Sequence, residues 1–73
     1  MNGWTNYETW NVAATIGNYE HLYVIAKRSS SYSNFLKRLS QRGLVSTPDG
    51  VNYRSKKVNR KELTELIKEF KEV

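Results

Sequence analysis

Four stretches of the chain carry apolar residues at helical spacing. In the first, Tyr7, Trp10 and Ala14 recur at i, i+3 and i+7, with Ala13 and Ile16 flanking them. That spacing predicts a helix with those residues on its inner face. Thr5 and Glu8 have the spacing of a capping box at its start. The helix is expected to run to about Ile16, with Gly17 as a left-handed stop and Asn18 as cap of the next helix. A second helix is predicted over residues 19–28. Leu22, Ile25 and Ala26 form its inner stripe, Tyr19 and Tyr23 lie beside it, and Lys27 and Arg28 favour its negative end. The polar run Ser29–Ser33 then offers N-caps to a third helix, from Tyr32 or Ser33 to Gln41, which turns Phe35, Leu36 and Leu39 inward. Gly43 followed by Leu44 has the character of a Schellman ending.

Thr47-Pro48-Asp49-Gly50 is a tight turn, because Pro fixes φ at the second position and Gly accepts the positive φ that follows. The short segments "LVS" and "VNY" on either side predict a small hairpin leaning on the helices. A last helix starts at the cap Asn59, with Glu62 completing a second capping box and Val58 and Leu63 forming a hydrophobic staple. Leu63, Leu66, Ile67 and Phe70 make its inner stripe, with Val73 nearby. The expected fold is therefore mainly α: one domain over residues 1–73, with three to four short helices and one small hairpin or turn before the C-terminal helix. The last stripe serves a monomer core and a helix pair between two copies equally well, so the oligomeric state stays open.

Composition narrows the function. A chain of 73 residues buries only about 60 % of its unfolded surface and has little room for a deep catalytic cavity. It has no Cys, which excludes disulfides and thiolate metal sites and fits a reducing, cytoplasmic setting. The N-terminal residues lack the basic and apolar regions of a signal peptide. The longest apolar run, Leu22–Ala26, is too short to span a bilayer, so no membrane partner is expected. His21, the one histidine, has neither a nucleophile elbow nor spaced metal ligands around it, so neither enzyme chemistry, metal nor cofactor is expected.

Charge is unevenly placed within a net +5. Residues 1–26 hold Glu8 and Glu20 and no cation. Residues 27–61 hold ten cations and one acid, Asp49. Residues 62–73 hold two lysines and four glutamates. Lys27, Arg28 and Arg42 sit at helix C-termini, where cations are favoured in any case. Lys37 and Arg38 occupy the polar face of the third helix. The run Arg54, Lys56, Lys57, Arg60, Lys61 differs, because it crowds the positive end of the last helix, where each cation costs roughly 0.3–1 kcal/mol. A docked anion explains that crowding; a solvated loop facing Asp49 and the helix glutamates is the plainer explanation. Tyr53 stands next to the run as a candidate stacking side chain. Trp4, Tyr7 and Trp10 cluster on one side of the first helical turn, which suits a packed core, a nucleobase platform or a protein-binding hot spot. Asn6 and Asn11 beside them suit capping or binding of a neighbouring segment's backbone.

"WTNYETWNVA", Trp4–Ala13, resembles the opening of a family of small uncharacterised proteins found in bacteriophages, plasmids and some bacteria, including cyanobacteria. Members typically share a W-x-N-x-x-T-W-N core. The "TPDGV" turn (Thr47–Val51) and the "ELxxLI"-like last helix (Glu62–Ile67) are also similar to members of that family. The matched pieces cover about a third of the chain, and "RSKKVNRK" departs from the acid-rich stretch that members commonly carry there. The resemblance implies a phage or mobile-element setting and a compact helical fold, and brings no functional residues with it.

Together these features lead to an expected function: a small non-enzymatic accessory protein that binds nucleic-acid backbone. Arg54, Lys56, Lys57, Arg60 and Lys61 would contact phosphate and Tyr53 would stack, with Lys37, Arg38 and Arg42 joining if the third helix lies alongside. The competing expectation is a protein–protein module that binds and modulates a host protein through exposed aromatics.

Overall fold

The computed structural model describes residues 3–72, so Val73 lies outside the described residues. Its four helices are α1 (Tyr7–Asn18), α2 (Glu20–Arg28), α3 (Tyr32–Gln41) and α4 (Arg60–Phe70). α1 packs on α2 and α4, α3 packs on α2 and α4, and α2 packs on α4, so α2 and α4 each touch the other three helices around one core.

The inner face of α1 is rotated from the expected one. Val12, Ala13 and Ile16 are buried, together with the polar Thr9, Asn11 and Thr15, whereas Tyr7 is 41 % exposed and Trp10 is half-buried. The aliphatic pair Val12 and Ile16, one turn apart, takes the core. The wide aromatic rings are left at the rim, where their polar atoms stay wet.

The expected break at Gly17 is also corrected. Gly17 lies inside α1, and Tyr19 alone separates α1 from α2 in an extended conformation (φ −118°, ψ 112°). The Tyr19 amide donates to the Thr15 carbonyl at 3.2 Å, and the Leu22 and Tyr23 amides donate to the Tyr19 carbonyl at 3.0 Å. No left-handed residue is needed at such a corner. A Cβ at position 17 would meet nothing within 4 Å. Gly17→Ala is therefore expected to raise stability by about 0.5–1 kcal/mol, read as a higher urea midpoint.

α3 follows the sequence closely, and α2 does so except at its start, where Asn18, the expected cap, is the last residue of α1 and Tyr19 takes the cap position without a side-chain bond. Ser31 caps α3 by accepting from the Asn34 amide at 3.2 Å. At its end Gly43 adopts φ 69°. The Leu44 amide donates to the Leu39 carbonyl and the Gly43 amide to the Ser40 carbonyl, at 3.0 and 3.1 Å, which is the paired pattern of a Schellman ending. Tyr32, Phe35 and Tyr53 form an aromatic centre, with ring centroids 5.7 Å apart for the first pair and 6.4 Å for the second.

The Thr47–Gly50 turn closes as expected, with the Gly50 amide donating to the Thr47 carbonyl at 2.9 Å and Gly50 at φ 91°. Its two arms shrink to one antiparallel bridge, Ser46 with Asn52, among the described residues. The second arm stops because the Asn52 side chain accepts from the Arg54 amide at 2.7 Å and bends the chain away.

Candidate nucleic-acid interface

The cationic segment is placed by an exchange of caps between the starts of α1 and α4. The first expected capping box does not form, and of the second only the Asn59 half does. Asn6, not Thr5, caps α1, accepting from the Thr9 amide at 2.9 Å and the Thr9 hydroxyl at 2.6 Å. Asn59 caps α4 by accepting from the Glu62 amide at 3.1 Å. The remaining groups cross between the helices. Asn6 Nδ2 donates to the Lys57 carbonyl at 2.6 Å, and the Asn59 amide donates to Thr9 Oγ1 at 2.9 Å. Asn59 Nδ2 donates to Thr5 Oγ1, and the Thr5 amide donates to Glu62 Oε1, both at 3.0 Å.

Two consequences follow for the cations. The backbone of residues 57–59 is fastened inward, with Val58 buried, so the side chains of Lys56, Lys57, Arg60 and Lys61 are all exposed. The positive ends of two helix dipoles also meet beneath them. The mouth of α4 is less amide-rich than the sequence implies, because Asn59 takes the Glu62 amide and the Glu62 carboxylate stands in the same turn.

Arg54 turns toward α3, where its Nη2 donates to Ser40 Oγ at 2.9 Å and to the Leu36 carbonyl at 3.4 Å. Lys37 lies about 60° around α3 from Ser40, on the same exposed side. Arg38 lines a hollow with Lys37, Asn34 and Gln41, and lies about 160° around α3 from Ser40 with Arg42 about 40° beyond it. Arg38 Nε donates to Asn34 Oδ1 at 3.2 Å and Arg42 Nη1 to the Arg38 carbonyl at 3.0 Å, so neither meets Arg54. Among the described residues, the side-chain hydrogen bonds from arginine and lysine end on amide, hydroxyl and carbonyl oxygens rather than on carboxylates.

Tyr53 is not available for stacking. It is 3 % exposed and its ring meets Phe35 edge-on at 88°. The signal was in the sequence: Val51 and Tyr53 alternate with Asn52 and Arg54, and the chain buries the first pair and exposes the second. Burial raises the Tyr53 hydroxyl above its ordinary value near 10, with the neighbouring Tyr19 adding to the effect. Burial raises Tyr32 as well, reinforced by Tyr53 and opposed by Arg60 and Arg54. Both arginines thus lie within electrostatic reach of one hydroxyl.

The polar residues of the N-terminal pattern account for much of the scaffold. Besides Asn6 and Thr9, Asn11 holds the Thr47–Gly50 turn. Its Nδ2 donates to Asp49 Oδ2 and its Oδ1 accepts from Thr47 Oγ1, both at 2.7 Å. Asn6 caps α1 and binds a neighbouring segment's backbone, as its position suggested, whereas Asn11 binds side chains of the turn and not its backbone. Thr9, fully buried, went unnoticed because its partner Asn59 lies in distant sequence. His21 is exposed beside Tyr19, with ring centroids 6.1 Å apart. Among the described residues, no three of His, Cys, Asp and Glu gather closely enough to hold a metal, and no helix is long and apolar enough to cross a membrane.

Fold and site thus define a small, mainly α domain whose cationic loop is moored at the junction of two helix starts. The chain belongs to a family of unknown function, DUF7249, whose model matches residues 1–73. No curated protein and no solved structure matches it.

Proposed function

We propose that this is a non-enzymatic accessory protein that binds nucleic-acid backbone through Lys56, Lys57, Arg60 and Lys61. The observation that carries the reading is the position of these four exposed cations, where two helix starts converge and the backbone is tied away from solvent. Four mobile positive side chains over two positive dipole ends suit a row of phosphates. Arg54, steadied by Ser40, and Lys37 extend the surface toward α3. The resemblance of Trp4–Ala13 to phage and plasmid proteins supports a mobile-element setting, with action in the host cytoplasm.

Phosphate contacts position a protein without reading bases, so binding is expected to be indifferent to sequence and steep in salt. In a gel-retardation assay, four such contacts give roughly hundredfold weaker binding when salt rises from about 50 to about 200 mM. Lys56→Glu with Lys57→Glu is expected to weaken low-salt binding by at least about tenfold and to flatten the salt dependence. No binding by the parent protein, or undiminished binding by this variant, rules the reading out.

A further inference from the structure

Both tryptophans of the chain line one open groove of about 230 Å³. Ala13, Ala14 and Gly17 of α1 give it small side chains, and Leu66 and Phe70 reach it from α4. Trp4, Trp10, Leu66 and Phe70 are all only half-buried. Tyr7 prolongs the apolar surface, its exposed ring lying 5.8 Å from that of Trp10. Trp4, Leu66 and Phe70 pack their inner sides against the core and leave their outer edges to the groove, and that apolar rim with the exposed Tyr7 ring beside it suits a contact face.

Trp4 also belongs to an adjoining hollow of about 280 Å³, which it lines with Gly3, Glu62, Glu65 and Glu69. Helical geometry sets the three glutamates within an arc of about 60°, and Leu66 follows about 40° further round. Glu65 and Glu69 are exposed, and Glu62 is engaged by the Thr5 amide. Lys61 and Lys68 stand on the far side of Glu65 from the groove, about 40° and about 60° beyond it. In a protein of net charge +5, the apolar groove is thus bordered by acid.

We propose that this groove binds a basic amphipathic peptide segment of a partner protein. The segment's apolar side chains would seat among Trp4, Trp10, Leu66 and Phe70, and its lysines or arginines against Glu65 and Glu69. Charge decides between occupants. A second copy docked through the same face sets glutamates against glutamates in a two-fold interface, and nucleic acid is repelled by them. The groove-lining residues include none of the four cations of the loop, so this site stands or falls separately from backbone binding.

The two tryptophans supply the readout. The probe is a pair of synthetic helical peptides with identical leucine spacing, one with lysine and arginine and the other with glutamate at its polar positions. The basic peptide is expected to shift tryptophan emission to shorter wavelength in a saturable titration, and the acidic peptide to leave it unchanged. Glu65→Lys with Glu69→Lys should weaken the basic peptide by at least about tenfold, and Ala14→Arg, which obstructs the groove, should abolish the response. Both variants alter partly or fully exposed positions, and circular dichroism checks each fold. An equal response to both peptides, no response to the basic one, or a response that both folded variants preserve overturns the proposal. So does self-association of the parent that Ala14→Arg abolishes.

Discussion

Replacing Asn11 with alanine is expected to lower the unfolding free energy by about 3 kcal/mol. Asn11 is 2 % exposed and makes two short hydrogen bonds, one to an ionised carboxylate and one from a buried hydroxyl. A bond to a charged group contributes about 1.5–3 kcal/mol, and a buried partner left unsatisfied adds about 1–3 kcal/mol. Exposure of the Asp49 end holds the total near the lower end of their sum. A domain of this length has about 4–11 kcal/mol to lose, so the variant would be near the edge of folding at 37 °C. Urea unfolding measures it. Asn11→Asp separates shape from charge: it keeps the side-chain size but faces Asp49 with a like charge. The new carboxyl would have a raised pKa in the folded state. Its folded form would hold a proton that the unfolded chain has released, so the variant should gain stability as pH falls toward the ordinary carboxylate range. A variant whose stability is flat with pH there would show that Asn11 does not face the Asp49 charge.

Tyr32→Phe is expected to cost about 2 kcal/mol at neutral pH and to change the alkaline limb of the stability curve. The Tyr32 hydroxyl is buried and donates to the Tyr53 carbonyl at 2.7 Å, so its removal strands a buried acceptor. The sign of the pH effect follows from the raised pKa values of Tyr32 and Tyr53, both caused first by burial. Up to about pH 10 both states are protonated and the full stability is present. Above it the unfolded tyrosines ionise while the folded ones keep their protons, so stability falls, by up to about 1.4 kcal/mol per pH unit for each group. Tyr32→Phe removes one of the two contributions. Its alkaline slope should be shallower than that of the parent, although its stability at neutral pH is lower. Parallel alkaline slopes would place the Tyr32 hydroxyl in solvent.

How much of this was legible in the sequence depended on how local each cause was. The limits of α3 and α4 were readable because capping residues and apolar stripes agree within a few positions: Ser31 before Tyr32, Gly43 and Leu44 after Gln41, Asn59 before Arg60. The start of α2 was not, since Asn18, its expected cap, belongs to α1 and Tyr19 opens α2 without a side-chain cap. The face of α1 was not, because Thr9 and Asn11 look like solvent residues until their partners 36 to 50 positions away are brought up to them. For the same reason the first capping box and the returning half of the second were misassigned, while the Asn59 half formed as expected. Thr5 and Glu62 have the right chemistry and find one another across 57 positions rather than within their own helices. In the candidate site, Lys56, Lys57, Arg60 and Lys61 were legible as a run whose exposure follows from its polarity. The spread of cations around α3 was latent in the 100° step between residues, which sets Lys37 nearest Ser40, Arg38 beside it and Arg42 furthest round. Tyr53 was misjudged because it adjoins the basic run, although its alternation with Arg54 marked it as inward.

The exchange of caps has a consequence for synthesis. A chain emerging from the ribosome presents residues 5–11 well before Lys57, Asn59 and Glu62, whose groups complete the start of α1 from 50 to 57 positions further along. Until then the first helix has only its own Asn6 cap and its packing on α2, and a helix of that length is marginal in water. An incomplete product that ends before residue 57 therefore lacks every bond between the starts of α1 and α4.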